Sequence, residues 1–231
     1  MEWKPESQPK LFDAASAIVT CSDPLQFGQL YTYLTNQSEV ASPERRRFLN
    51  NRFREVLFKQ WVNIGVPKVA IALFALIKEE HEGDADLTFT KEHIHLDAAN
   101  REKGTDFLNS IYGPKRTANM FGTWGANFEW LTKDVVYGMF FADKSVLDFK
   151  ETELICYTAI VCQSLPVQNH LGGLQRMGLS LEEIEGVTEC AKLIAKWAGC
   201  DLGSWPRVRA VAASLNVNAT PQGSSVDEAW A

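Results

Sequence analysis

Apolar residues recur three and four positions apart along most of this chain, and β-branched runs bounded by turn signals are scarce. That periodicity predicts an all-α fold, because only a helix gathers side chains so spaced onto one face. The helix limits carry their own signals. Ser42-Pro43-Glu44 places an N-cap serine before a proline at the first helical position and an acid in the first turn. A helix to about residue 65 follows, and Pro67 opens another to about residue 80, making a helical hairpin. Asp148-Phe149-Lys150-Glu151 and Ser180-Leu181-Glu182-Glu183 have the form of capping boxes and predict helices over residues 149–162 and 181–198. Between them Pro166 and Gly178 bracket a further helix, which makes a second hairpin. Helices are also expected over residues 91–112, 128–141 and 206–215.

Residues 82–90 (EGDADLTFT) are polar and divide the chain. The expected organisation is an N-terminal half-domain over residues 1–82, a second domain over 91–200, and a flexible tail over 216–231 with disorder-like composition. The hairpins align: Glu55 lies 12 residues before Pro67, Glu153 lies 13 before Pro166, and Ile71 and His170 each follow their proline by four. This spacing suggests a degenerate tandem repeat in which only the second copy carries an imidazole.

Charge narrows the function classes. With 23 Lys+Arg against 29 Asp+Glu the chain has a net charge of -6, which weighs against nucleic-acid binding and against a polybasic membrane surface. The most apolar run, VPKVAIALFALI, contains Lys68 and falls short of the roughly 20 residues a bilayer span needs. The opening MEWKPESQPK has neither the apolar core of a secretory signal nor an Arg-rich transit pattern, so the expected location is cytoplasmic. Five cysteines without a CxxC pair suit reduced core thiols, Cys162 among them. His93 and His95, two apart, fall on different sides of a helix, and neither a metal nor a cofactor is expected.

His170 is the residue most suited to chemistry. It precedes Gly172-Gly173, and paired glycines inside a helix cost roughly 1 kcal/mol each relative to alanine unless close packing or ligand approach compensates. The bland alternative is a hydrogen-bonded core histidine. Glu151 is explained by its capping box. Glu153 faces an apolar run, LICYTAIVC, where burial would raise its pKa, although proximity to the helix N-terminus explains an acid there equally well. In an ideal antiparallel hairpin Glu153 lies roughly 17 Å from the turn and His170 roughly 9 Å, so a water, a bend or a second subunit has to join them. Tyr157 is nearer in level to His170.

The segments ETELICYTAIV and QNHLGGLQRMGLSLEEIEGV, preceded by REKGTDFLNSIYG and DVVYGMFFADKSVLDF, resemble the carboxymuconolactone decarboxylase family, which includes alkylhydroperoxidase D-like proteins. His170, Gly173, Gly178, Ser180 and Glu183 keep the family spacing, and the resemblance covers residues 98–198, with a fainter match over 50–80. It implies the alkylhydroperoxidase D-like helical fold, a homo-oligomer and a cofactor-independent lyase or isomerase acting on a small oxygenated carboxylate or lactone. In that picture His170 is the general acid/base, Glu153 orients it, and Tyr137, Tyr157 and Gln168 line the pocket. The chain also departs from the family pattern. Gln163 and Pro166 stand where the peroxidase branch has its two cysteines, Gly172 and Arg176 stand where the decarboxylase branch has Arg and Asn, and Thr152 replaces an arginine. The alternatives are therefore a non-catalytic binding or scaffold member and, more weakly, a thiol peroxidase using Cys162.

Overall fold

A computed structural model describes residues 9–200, 203 and 205–218 of the 231. Among these the chain is helical and contains no strand. The elements are α1 (Pro9–Cys21), α2 (Gln26–Thr35), α3 (Pro43–Ile64), α4 (Val66–Glu79), α5 (Ala98–Tyr112), α6 (Pro114–Trp124), α7 (Ala126–Trp130), a π-helix (Leu131–Phe141), α8 (Phe149–Cys162), α9 (Gln168–Arg176), α10 (Leu181–Trp197) and α11 (Val208–Asn218).

The expected caps form. Ser42 accepts from the Arg45 amide, and both arms of the boxes at Asp148–Glu151 and Ser180–Glu183 are made. Gly113, at φ +81°, turns the chain from α5 directly into α6, so the Gly113-Pro114 break is a corner between two helices. Helices α1, α2 and α6 add to the expected set.

Two expected helices differ. The helix expected over residues 91–112 begins only at Ala98, where Asp97 caps it by accepting from the Asn100 amide at 2.9 Å. Upstream, Lys91 is drawn to Glu55 (2.8 Å) and Asp143 (2.5 Å), and His93 to Asp143 (3.2 Å), which holds residues 91–97 out of helical register. The expected helix over residues 128–141 becomes a π-helix from Leu131. Its wide turns lie hard against α5, where a Cβ at Gly104 would collide with the Lys133 carbonyl and one at Gly138 with the Asn100 side chain. The Asn100 amide donates to the Asp134 carbonyl at 2.8 Å. At its C-terminal end, the buried Lys59 ammonium donates to the carbonyls of Phe140 (3.1 Å), Phe141 (3.3 Å) and, just beyond, Asp143 (2.9 Å).

Helix α8 is central. Leu154 and Tyr157 join an apolar cluster with α1, α9 and α10, Ile155 joins one with α1 to α4, and Cys156 joins a third with α5 and the π-helix. Burial on every side explains why α8 is apolar all round rather than striped. Helix α1 packs on α8 and α10, so residues before the polar segment 82–90 share a core with those after it. At the far end residues 216–218 belong to α11 rather than to a tail. The remainder of the expected tail, 219–231, and the opening residues 1–8 lie outside the described residues. No helix of the described residues is long and apolar enough to cross a membrane.

Candidate active site

Glu153 is fully buried on α8, and its Oε1 lies 2.8 Å from Nδ1 of His170 on α9. This direct contact removes the gap expected for an ideal hairpin. From Glu153 to Cys162 α8 rises about 13 Å, at 1.5 Å per residue. The segment 163–167 turns at Ser164 (φ +56°) and then runs back along α8 before α9 starts. Five residues at about 3.3 Å each have the reach to make that return, so no water or second subunit is needed.

On the other side of the imidazole, Nε2 meets the Tyr112 hydroxyl at 3.2 Å, the rings standing edge to face at 5.7 Å. Tyr112 ends α5, and Tyr137 of the π-helix lies near enough to act on its hydroxyl. One donor order satisfies both imidazole contacts: Tyr112 donates to Nε2, and Nδ1–H to the Glu153 carboxylate.

Burial sets the acidities. It raises Glu153 above the usual carboxylate value, against the opposing pull of His170 and Arg176. It pushes Tyr112 up to about 12 and lifts Tyr137 well above its ordinary value, the neighbouring Tyr112 and Glu153 adding to the effect on Tyr137. The Cys156 thiol, which accepts from Asn63 Nδ2 at 3.4 Å, is also pushed up by burial and by Glu153.

The glycine pair brings α9 onto α5. A Cβ at Gly173 would lie 3.1 Å from Ile111 Cα and 3.4 Å from Glu153 Oε1, whereas one at Gly172 would meet the end of the Arg176 side chain at 3.3 Å. Arg176 clamps the same junction by donating from Nε to the Ser110 carbonyl at 2.9 Å and from Nη2 to that of Ile111.

The other candidates are placed as follows. Tyr137 is buried beside Tyr112. The Tyr157 hydroxyl pairs with Thr188 of α10 at 2.8 Å inside the apolar core, because the face of α8 carrying Tyr157 points at α1 and α10 rather than at α9's histidine. Gln168 is exposed at the start of α9. Glu151 fills its capping box and pairs with Arg52. In the first hairpin Glu55 pairs with Lys91, while Ile71 is 41% exposed. Tyr112 and the clamp made by Arg176 are additions from the structure; the only sequence sign of Tyr112 is its place in the SIYGP corner.

The His170 side chain is 10% exposed, so the site meets solvent at one edge. Cavities of about 740 Å³ beside Trp205 and Arg207, and of about 490 Å³ beside His93 and Asn100, are not lined by His170. Among the described residues no group of three or more His, Cys, Asp or Glu side chains is arranged to hold a metal ion. Comparison with protein-family models, with curated proteins and with solved structures finds no match for this chain.

Proposed function

We propose that Glu153, His170 and Tyr112 form an acid–base array acting on a small oxygenated carboxylate or lactone, as a lyase or isomerase without a cofactor. The observation that carries this reading is the ordered hydrogen-bond chain running from a buried carboxylate through both imidazole nitrogens to a phenol. Glu153 holds the Nδ1–H tautomer and stabilises the imidazolium when Nε2 takes a proton. Tyr112 stands between Nε2 and the neighbouring Tyr137, so a proton taken at the phenol passes to the imidazole and returns by the same route. Arg116, exposed and close enough to favour a Tyr112 anion, supplies a cation suited to a carboxylate.

The resemblance to the carboxymuconolactone decarboxylase family supports the same chemistry, with α3–α4 and α8–α9 as the two copies of a duplicated unit. Self-association is part of the proposal. Ile71, Phe74 and Ile77 on α4, and Trp124, Phe128 and Trp130 around α6 and α7, are exposed apolar side chains that a second copy would cover. Among the described residues no disulfide joins any of the five cysteines, which suits a reducing, cytoplasmic setting. A non-catalytic scaffold is the second reading, favoured by the burial of His170, only 8% of which is exposed. Cys162 is poorly suited to lead a thiol peroxidase, because a hydrogen bond with Cys21 and burial keep it protonated.

The test is turnover of a panel of small lactones and β-oxo carboxylates by the full chain, by His170→Gln and by Tyr112→Phe. Removal of the acid/base group is expected to lower the rate about 100-fold or more. Equal rates for wild type and His170→Gln, or no turnover of any member by wild type, would leave the scaffold reading in its place.

A further inference from the structure

Away from His170, the cavity of about 490 Å³ opens between the segment 93–97, one face of α5 and the end of the π-helix. Its size is that of an ordinary small-molecule pocket. Nothing in the acid–base site uses it. The charged groups in its walls divide into those already engaged and those left facing the space. Asp143 is buried and fully engaged: it meets Lys91 (2.5 Å), the Ser145 hydroxyl (2.8 Å) and amide (3.0 Å), and His93 (3.2 Å). Asp97 is occupied as the cap of α5, accepting from the Asn100 amide at 2.9 Å.

The bases are not so engaged. Lys103, Lys144 and His95 are exposed in the walls, and among the described residues none of them forms an ion pair with a carboxylate. Lys144 lies over the Phe149 ring instead, 4.8 Å from its centroid, and Phe149 is stacked on Phe107 at 4.6 Å, which fixes that wall. Only Asp106 stands against these bases as an acid without such a partner, so the uncommitted charge of the cavity favours an anion. The kind of cation says which anion. An ammonium is a compact point charge that suits phosphate, whereas a carboxylate is best matched by the fork of an arginine, and no described arginine lines the cavity.

A second feature concerns hydroxyl groups. Asn100 is only 6% exposed, and its Nδ2 donates to the Asp134 carbonyl at 2.8 Å, yet no described residue donates to its Oδ1. An acceptor so placed in the wall, with the Asp106 carboxylate in the same lining, is matched by a ligand that brings its own O–H donors. We propose that this cavity binds a small phosphate monoester carrying hydroxyl groups, in the class of triose and hexose phosphates. Lys103 and Lys144 hold the phosphate with His95 beside them, and Asn100 and Asp106 accept from the hydroxyls. Ile94, Ala99 and Ala142 face the carbon skeleton. No bond is made or broken. Because such a ligand touches residues 93–95 and α5 together, it holds the segment 82–97 against the helix.

The experiment titrates the full-length chain by calorimetry with glucose 6-phosphate and with glycerol 3-phosphate, and separately with glucose and with inorganic phosphate. Saturable binding with a dissociation constant of about 1 mM or tighter is expected for at least one ester, with inorganic phosphate and glucose each about tenfold weaker or more. Lys103→Gln with Lys144→Gln is expected to weaken the ester about tenfold or more. Lys78→Gln with Lys196→Gln removes the same charge from exposed positions on α4 and α10 and should leave binding unchanged. The bound ester should also slow protease cleavage within residues 82–97. No saturable binding of either ester by the wild type would overturn the proposal. So would equal weakening by the two double variants, inorganic phosphate binding as tightly as the esters, or binding that leaves cleavage of 82–97 unchanged. The wild-type titration and cleavage pattern decide the matter even if a variant fails to fold.

Discussion

The Glu153 side chain shows how a single buried group sets the character of this site. Its Oε1 is matched by His170, while Oε2 is buried without a hydrogen-bond partner, so the carboxylate keeps its charge chiefly through the imidazole. Glu153→Gln preserves shape and removes the charge. The expected result is a His170 that no longer holds Nδ1–H as its dominant tautomer, read from the ring nitrogen shifts by NMR, with activity lowered about 100-fold and the fold kept. An unchanged tautomer would show that Tyr112 alone orients the ring. Asp13 is the opposite case, a buried carboxyl with no strong partner. Burial raises its pKa well above the usual carboxylate value, only partly offset by Thr158, and Glu151 adds to the rise. The folded state therefore keeps a proton that the unfolded state has lost, and stability falls as pH climbs above the unfolded value of 3.8. Asp13→Asn should melt higher than wild type at pH 7, with the difference closing toward pH 3 in thermal denaturation. A lower melting temperature at pH 7 would show that Asp13 is ionised and paired. Of these residues, Glu153 and His170 stand out in the sequence because Glu151 has its own capping role and because paired glycines need a reason. Tyr112 and Asp13 carry no comparable sign, since their partners are set by which helices meet.

Among the elements, those with local signals are legible and those made by contact are not. Capping boxes at Asp148 and Ser180 place α8 and α10 correctly, because the cap is formed by residues three apart in the chain. The π-helix has no such code. It depends on Gly104 and Gly138 meeting across two elements, and its C-terminal end on Lys59, which comes from α3. Likewise residues 91–97 have an acceptable helical pattern and lose it to ion pairs with Glu55 and Asp143. The two glycines of α9 give a matched test of the packing that builds the site. Gly172→Ala meets the movable end of Arg176 and, at ordinary van der Waals distance, the end of Leu215, so the gain in helix propensity, up to about 1 kcal/mol, should leave the protein equally or more stable. Gly173→Ala presses on the Ile111 backbone and on the bonded oxygen of Glu153, and is expected to cost about 1–3 kcal/mol in denaturant unfolding. It should also loosen the His170–Tyr112 contact. Equal effects from the two substitutions would mean that α9 can slide on α5 and that the glycines do not set the spacing.

For the whole molecule, the polar stretch that divides the sequence is tied down at both ends. Asp84 accepts from Tyr31 at 2.9 Å and from Arg46 at 2.7 Å, and Lys91 bridges Glu55 of α3 to Asp143 after the π-helix. The segment 82–97 therefore works as a strap across the first hairpin and the second half of the chain, which composition alone presents as a linker. Its electrostatics cover a wide range of pH. Burial favours a protonated Asp143, but hydrogen bonds from Lys91 and Ser145 outweigh it and hold the carboxyl far below the usual range. That contribution is present above the unfolded value of 3.8 and is lost as pH falls through the lower folded value. Burial likewise opposes the Lys91 charge, but Asp143 and Glu55 outweigh it and raise its pKa above 10.5, so its contribution is complete below that value and is lost only at more alkaline pH. Lys91→Met keeps the stem and removes the bridge, leaving two carboxylates of low exposure with less compensation, at a cost of about 2 kcal/mol. Cleavage by a protease within residues 82–97 should then run at least about tenfold faster at pH 7, since that much free energy shifts a local opening equilibrium by more than a decade. The acceleration should persist unchanged from about pH 5 to 9, because both partners stay charged throughout that window. Cleavage at the wild-type rate would show that Asp84 and His93 hold the strap without Lys91, and that the two halves meet mainly through the packing of α1 on α8.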